Sequence, residues 1–371
     1  MLHVQKATGV GGSERHLLSL LAGLANMGVC TRICVLAAGD HRRFTAALEE
    51  AGLDTIAMPA GLDFNPFLVP KLVREIKAFR PDVVHTHLIH ADVYGQAAAH
   101  LARVPGVSSM HSTHSFYRRQ PWRTAAHAAG HLVDRQIAIS AHVARFIEDL
   151  GLAPGDRVRM IHYGIDAAAW RTTPQNRSAA RASLDLSPQD IAVGLASRLI
   201  PLKGHDFVFD AFASALKNVG ELRLLVAGDG PLRAELEDEA RSRFPRGTVR
   251  FVGYVDRMDQ FMSGCDFFVV PTHSLLSEGF GLAALEAMAS GLPVVATAVG
   301  SLTEVVADGK TGLIVDPYDV NKLTESLEML ARDHKARIRM GELARDRAQT
   351  HFKLEAMVES VMSVYREVLS P

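Results

Sequence analysis

The chain alternates between short apolar runs and amphipathic helical segments with a regularity that few folds can absorb. Apolar runs at 2–5, 32–37, 55–58, 83–86, 107–111, 136–140 and 159–162 are interleaved with helical periodicity at 13–27, 70–79, 91–102 and 141–150. Runs that are apolar on both faces suit strands covered on both sides, and the helices between them supply the crossovers that parallel pairing requires. The polar stretch Arg171-Thr172-Thr173-Pro174-Gln175-Asn176-Arg177 then interrupts the rhythm and reads as a linker. A second series follows, with strands expected at 192–196, 223–227, 249–252, 266–270, 293–296 and 313–315. Strand and helix in strict alternation imply α/β architecture with right-handed crossovers, here two doubly wound domains with a cleft between them. The length agrees, because 371 residues, 48% of them apolar, can fill two cores of about 150–200 residues each. The closing segment 354–369 carries Met357, Val361, Val364 and Tyr365 on one stripe and needs a surface to cover.

Charge and cysteine usage bound the partners. The net charge of −1 gives no general case for nucleic acid. The halves differ, residues 1–171 holding 18 Lys and Arg against 14 Asp and Glu, and 13 of the 17 histidines. A mildly basic half admits peripheral contact with an anionic membrane. No apolar run approaches the ~20 residues of a spanning helix, and Met1-Leu2-His3-Val4 lacks the regions of a signal peptide, so a cytoplasmic protein is expected. Three cysteines, Cys30, Cys34 and Cys265, show no metal-binding spacing and agree with a reducing compartment.

The loops after the strands carry the chemistry. In Ser277-Glu278-Gly279-Phe280-Gly281-Leu282-Ala283-Ala284-Leu285-Glu286-Ala287-Met288, two carboxylates stand eight residues apart around a glycine-bracketed turn that enters a helix. The glycines let backbone approach a ligand, and the helix start offers free N–H groups and a positive dipole end, which suits a diphosphate. Glu286 would lie about 7–8 Å along the axis from that start, the reach from a phosphate to a ribose. Phe267-Phe268-Val269-Val270-Pro271-Thr272 reads as the strand leading into this loop, which places it at a carboxyl end, where open parallel sheets bind ligands. In Ser197-Arg198-Leu199-Ile200-Pro201-Leu202-Lys203-Gly204, Arg198 and Lys203 emerge at another strand end and can neutralise a leaving diphosphate.

The first of these segments resembles the E-x7-E motif of the retaining GT-B glycosyltransferases, in particular glycosyltransferase family 4. The likeness continues without a gap through Ser290-Gly291-Leu292-Pro293-Val294-Val295-Ala296-Thr297, Val299-Gly300-Ser301, Glu304 and Asp308-Gly309-Lys310-Thr311-Gly312-Leu313. The pair Arg198 and Lys203 is similar to the family's R-x4-K. Ala227-Gly228-Asp229-Gly230-Pro231 and Phe251-Val252-Gly253-Tyr254-Val255 resemble two further loops, the second lying beside the nucleotide base in the family. Gly9-Val10-Gly11-Gly12-Ser13-Glu14 looks like its G-G-x-E turn, and His114, in His111-Ser112-Thr113-His114, matches its histidine at the sugar pocket. One departure is Tyr163 in Ile161-His162-Tyr163-Gly164-Ile165-Asp166, where the family usually has the asparagine of N-G-I-D.

The resemblance implies a GT-B fold of two Rossmann-like domains: an acceptor-side domain over 1–168, onto which a helix at 354–371 packs back, and a nucleotide-sugar domain over 177–350. It implies retaining transfer of a hexose-type sugar from a UDP-, GDP- or ADP-sugar to a hydroxyl acceptor such as a glycan or lipid-linked sugar, in bacterial polysaccharide or glycolipid assembly. His114, Arg198, Lys203 and Glu278 would be catalytic. Gly11, Gly12, Gly228, Gly230, Tyr254, Val255, Gly279, Phe280, Gly281, Leu282 and Glu286 would bind substrate. No metal or other cofactor is expected, and the absence of an Asp-x-Asp sequence agrees with that. Two rivals share the pattern. An NAD-dependent oxidoreductase would bind nicotinamide at the Gly9–Gly12 loop, but Glu14 stands where the fingerprint needs a third glycine. A catalytically silent nucleotide-sugar binding protein would keep every phosphate contact. His85 and His87, two apart on a strand, point the same way, yet no carboxylate or cysteine completes a metal set beside them.

Overall fold

Apolar runs with turn residues at their ends form parallel strands throughout the computed structural model, which describes residues 1–7, 9–61, 65–273 and 278–370. Ser277, the first residue of the glycine-bracketed segment, lies outside the described residues. The first sheet comprises β1 (Leu2–Ala7), β2 (Arg32–Ala37), β3 (Asp54–Pro59), β4 (Val84–His87), β5 (Gly106–Met110), β6 (Arg135–Ala138) and β7 (Val158–Met160), in the order β3-β2-β1-β4-β5-β6-β7. The second comprises β8 (Ile191–Ala196), β9 (Leu222–Ala227), β10 (Val249–Gly253), β11 (Phe267–Val270), β12 (Val294–Thr297) and β13 (Gly312–Val315), in the order β10-β9-β8-β11-β12-β13. Every pairing in both is parallel. The strand order reverses between β1 and β4 in one sheet and between β8 and β11 in the other. Such reversals open the crevices that receive ligands in doubly wound sheets.

The chain divides into two units, Met1–Gly164 with Leu354–Pro371, and Ile165–Lys353. In the first, Leu17, Leu20, Leu21 and Leu24 of the helix Gly12–Asn26 meet Met357, Val358, Val361, Val364 and Tyr365 of the helix Leu354–Leu369 in one buried cluster. The two helices touch at Gly23, where a Cβ would stand 2.5 Å from Val358; a side chain there would push them apart. In the second, Phe207, Val208, Phe209, Ala211 and Phe212 pack with Leu224, Val226, Phe267 and Val269 of the sheet.

Three expectations change. Residues 91–102 do not form one α-helix, because a π-helical turn, Asp92–Gln96, is inserted between Ile89–Ala91 and Ala97–Ala102. Its side chains bind the sheet: Asp92 accepts from Thr86 and Ser108, each at 2.6 Å, and Gln96 donates to Thr86 at 2.7 Å. Burial pushes the Asp92 carboxyl up to about 7. The polar stretch read as a linker instead starts a helix, Pro174–Ser183, capped by Thr173 and tied down by Arg177, which donates to Asp266 at 2.7 Å. Helices also form at Arg42–Glu50 and Trp122–Leu132, beyond those expected from periodicity.

Candidate functional site

Four loops leave the carboxyl ends of β8, β9, β11 and β12, and hydrogen bonds and close contacts lock them to one another. The loop after β8 carries Arg198, whose side chain is exposed, and Lys203, which is mostly covered. Lys203 Nζ lies 2.7 Å from Glu278 Oε2, with 15% and 12% of the two side chains exposed. At that exposure the charges are partly withdrawn from water and attract each other more strongly than a surface pair. Thr272 donates to the same carboxylate oxygen at 2.8 Å, so Glu278 is held from two directions before any ligand arrives. The Thr272 carbonyl in turn accepts from the Thr297 hydroxyl, which fastens the end of β12 to this loop.

Backbone contacts set the rest of the frame. Gly300 has φ +58°, and a Cβ there would lie 2.2 Å from the Glu278 carbonyl oxygen. Gly281 caps the helix Leu282–Ala289 in the left-handed region at φ +85°, and a Cβ would lie 2.6 Å from Leu302. Both positions need glycine for conformation and for space. After β9, Gly228 and Gly230 press on the carbonyls of Ser197 and Leu199, where Cβ atoms would come to 1.9 and 2.5 Å, and Leu199 N–H donates to the Asp229 carbonyl at 2.9 Å. Under the Lys203 loop, His205 meets the Ser197 hydroxyl at 3.0 Å. Burial pushes the His205 imidazole down to about 4, so it stays neutral beside the lysine.

Around this frame, Gly279 and Phe280 are buried, and Phe280 stands edge-on to Phe352 with ring centroids 5.8 Å apart. Leu282 opens the helix, and Glu286 lies on it, 5% exposed. Tyr254 and Val255 follow β10, half-buried. Fixed N–H groups at a helix start, a held carboxylate and two cations, all at a strand-order reversal, are the chemistry suited to an anion bearing hydroxyl groups.

In the other unit the turn after β1 is held from inside. Glu14, buried, accepts from the Gly11 N–H, the Ser13 hydroxyl and the Gln5 amide, each at 2.9 Å. Gly12 begins the helix and is exposed. His114 is exposed, accepts from the Phe116 N–H at 3.3 Å and stacks on the Phe116 ring. The sequence carries no local signal for the residues that act through others: Thr272, Thr297, His205 and, in its anchoring role, Glu14. Gly300 does carry a signal, as a glycine in the short loop three residues beyond the end of β12.

The model of "Glycosyltransferase Family 4" matches residues 10–169, and that of "Glycosyl transferases group 1" matches residues 176–347. A D-inositol 3-phosphate glycosyltransferase of a Nocardioides species is 34% identical over 77% of this chain and 67% of its own length. A glycogen synthase of Mycobacterium tuberculosis is 31% identical over 89% and 79%. Among solved structures, Anabaena HepE in complex with UDP and glucose superposes with a TM-score of 0.86, at 23% identity over 98% of each chain; that likeness establishes the GT-B architecture of two parallel-sheet domains.

Proposed function

The chain belongs to glycosyltransferase family 4 and is a glycosyltransferase, and on that premise we propose that it moves a hexose from a nucleoside diphosphate sugar to a hydroxyl acceptor with retention of configuration. The observation that carries this reading is the Lys203–Glu278 pair, fixed at the strand-order reversal beside the Gly281 helix start. Arg198, Lys203 and the amides near Gly281 hold the diphosphate. Glu286 binds the ribose and Glu278 the sugar hydroxyls, with Gly228, Gly230, Tyr254 and Val255 along the nucleotide. The assignment of His114 to the sugar, and of Gly11 and Gly12 to phosphate or acceptor, rests on the family resemblance.

In the reaction the bond from the anomeric carbon to the leaving phosphate breaks, its electron pair staying on the phosphate. The acceptor hydroxyl forms the new bond on the same face, and its proton passes to a phosphate oxygen. Charge therefore grows on the diphosphate, where Arg198, Lys203 and the helix end stabilise the transition state more than the ground state. Two cations and a helix dipole can serve where other transferases use a divalent ion, so metal independence forms part of the proposal. Donors containing UDP come first, because HepE is described with UDP and glucose or UDP-glucose. Bacterial polysaccharide or glycolipid assembly is the setting proposed. Among the described residues no helix is long and apolar enough to cross a membrane. The excess of Lys and Arg in residues 1–171 supports contact with an anionic bilayer from the cytoplasmic side.

A thermal-shift panel of UDP-, GDP- and ADP-sugars tests this. At 100 times its Kd a donor adds about 2.7 kcal/mol, which for a domain of this size raises Tm by about 5–10 °C. A panel in which no nucleoside diphosphate or its sugar shifts Tm would refute the reading. Donor binding with no nucleotide released in the presence of any hydroxyl acceptor would refute the transfer step.

A further inference from the structure

A row of imidazoles lies on one face of the seven-stranded sheet, and the transfer chemistry above does not use it. His3 on β1, His85 and His87 on β4, and His111 just after β5 are all buried. His3 Nδ1 is 3.0 Å from His87 Nε2, His87 Nδ1 is 3.0 Å from His111 Nε2, and His111 Nδ1 is 2.6 Å from the Tyr163 hydroxyl. His85 forms a side branch, meeting the Tyr365 hydroxyl at 2.6 Å and that of Ser109 at 2.8 Å.

A neutral imidazole has one N–H and one lone pair, so each ring's tautomer dictates its neighbour's. The row then has two arrangements, with protons on every Nε2 or on every Nδ1. The first leaves an N–H on His3 Nε2, a buried atom with no hydrogen-bond partner among the described residues. The second leaves only a lone pair there and turns the Tyr163 hydroxyl proton away from His111; buried donors without acceptors are the rarer defect. The second arrangement has His111 donating to the Tyr163 oxygen.

We infer that His3, His87 and His111 form a one-way relay of Nδ1-protonated imidazoles ending on Tyr163, and that Tyr163 is a positioning residue for two loops. Through His111 it steadies the Ser112–His114 segment. Through its ring, stacked on His16 with centroids 3.9 Å apart and planes 12° from parallel, it steadies the helix that begins at the Gly11 turn. This accounts for the tyrosine found where the family usually has asparagine. Only the importance of those loops for transfer rests on the function proposed above; the relay itself does not.

One ring nitrogen each from His3, His85 and His87 come within 4.8 Å of one another, which raises a metal site as the rival. The rings of His3 and His87 argue against it. Their planes are 9° apart and their centroids 5.4 Å apart, so with a 3.0 Å contact the two nitrogens face each other along the line joining the rings. Metal ligands need lone pairs that converge on a point about 2.0–2.1 Å from each.

Nitrogen-15 NMR of the imidazoles at pH 7.5 tests the relay without any sugar ligand, with assignments from single His→Gln variants. Neutral Nδ1–H signals are expected for His3, His87 and His111; Nε2–H or averaged signals would overturn the inference. Tyr163→Phe keeps the stack on His16 and removes the oxygen. The relay predicts that His3, three links away, then loses its single tautomer, and that amide exchange over residues 111–117 speeds up at least tenfold. An unchanged His3 signal would rule out the relay, and unchanged exchange would rule out the positioning role. One equivalent of zinc should leave the His3, His85 and His87 signals in place; coordinated signals would replace the relay with a metal site. Should Tyr163→Phe fail to fold, the unsubstituted protein's spectrum still decides the tautomers.

Discussion

Acidification should destabilise the unit built on the seven-stranded sheet, and the size of the effect follows from the buried imidazoles. Burial, with a smaller contribution from the N-terminal ammonium, pushes His3 down to about 3, and burial alone pushes His111 to about 3. In the unfolded chain each titrates near 6.5. Between these values the unfolded state binds more protons than the folded one, so stability is fully present above about pH 6.5 and is lost as pH falls through the window. At pH 5 each histidine costs about 2 kcal/mol relative to pH 7.5, and the two together about 4 kcal/mol. That is a large fraction of the 5–15 kcal/mol typical of a domain. His16, His85 and His87, also held well below the ordinary value by burial and by neighbouring imidazoles, act in the same direction. Among the described residues no carboxylate hydrogen-bonds a ring of the row; Glu14, on the helix that also carries His16, is occupied by Gln5, Gly11 and Ser13. Urea unfolding at pH 7.5, 6.5, 5.5 and 5.0, followed by amide exchange of β1 and β4 peptides, reads the effect in this unit separately from the other. A change below about 1 kcal/mol between pH 7.5 and 5 would mean that these rings take up protons without unfolding, and the reasoning would fail.

Four further outcomes are expected. Lys203→Ala should lower kcat at least a hundredfold, about 2.7 kcal/mol of transition-state stabilisation, with Tm changed by only a few degrees; wild-type turnover would remove the lysine from the mechanism. Glu286→Ala should weaken donor binding about tenfold or more in calorimetry while leaving kcat at saturation within a few-fold, as loss of a hydrogen bond to a charged group would. Gly300→Ala forces a methyl group against the Glu278 carbonyl at φ +58°; it should cost about 1–3 kcal/mol and abolish the thermal shift with any donor, and an unaffected shift would show that the frame is not rigid. Glu14→Ala leaves the Gln5 amide and Gly11 N–H without their acceptor and should cost about 2–3 kcal/mol in urea unfolding.

The elements that were legible beforehand are those whose burial leaves a mark on composition. A strand covered on both faces must be apolar along its length, and β2, β8 and β9 were read to within a residue at each end. Trp122–Leu132 escaped notice because it packs through small residues, Ala126, Ala129 and Gly130; a Cβ on Gly130 would stand 1.7 Å from the Leu152 carbonyl. Close approach of this kind leaves no stripe of large apolar side chains. Arg42–Glu50 buries only Phe44 and Leu48, too few for a periodicity. The π-turn at Asp92–Gln96 depends on hydrogen bonds to Thr86 and Ser108 on two different strands, which no local window contains.

From the order of residues alone came the parallel sheets and the motif loops, since alternation, glycine spacing and strand-end position are local properties of a chain. Only the tertiary structure joined Lys203 to Glu278 across 75 positions and Tyr365 to His85 across 280. It also placed β8 beside β11, so that the strand order reverses where both loops emerge. An ion pair or an imidazole tautomer depends on distance and on the direction of a lone pair in space, and residues far apart in sequence acquire these only when strands pair and helices close over them.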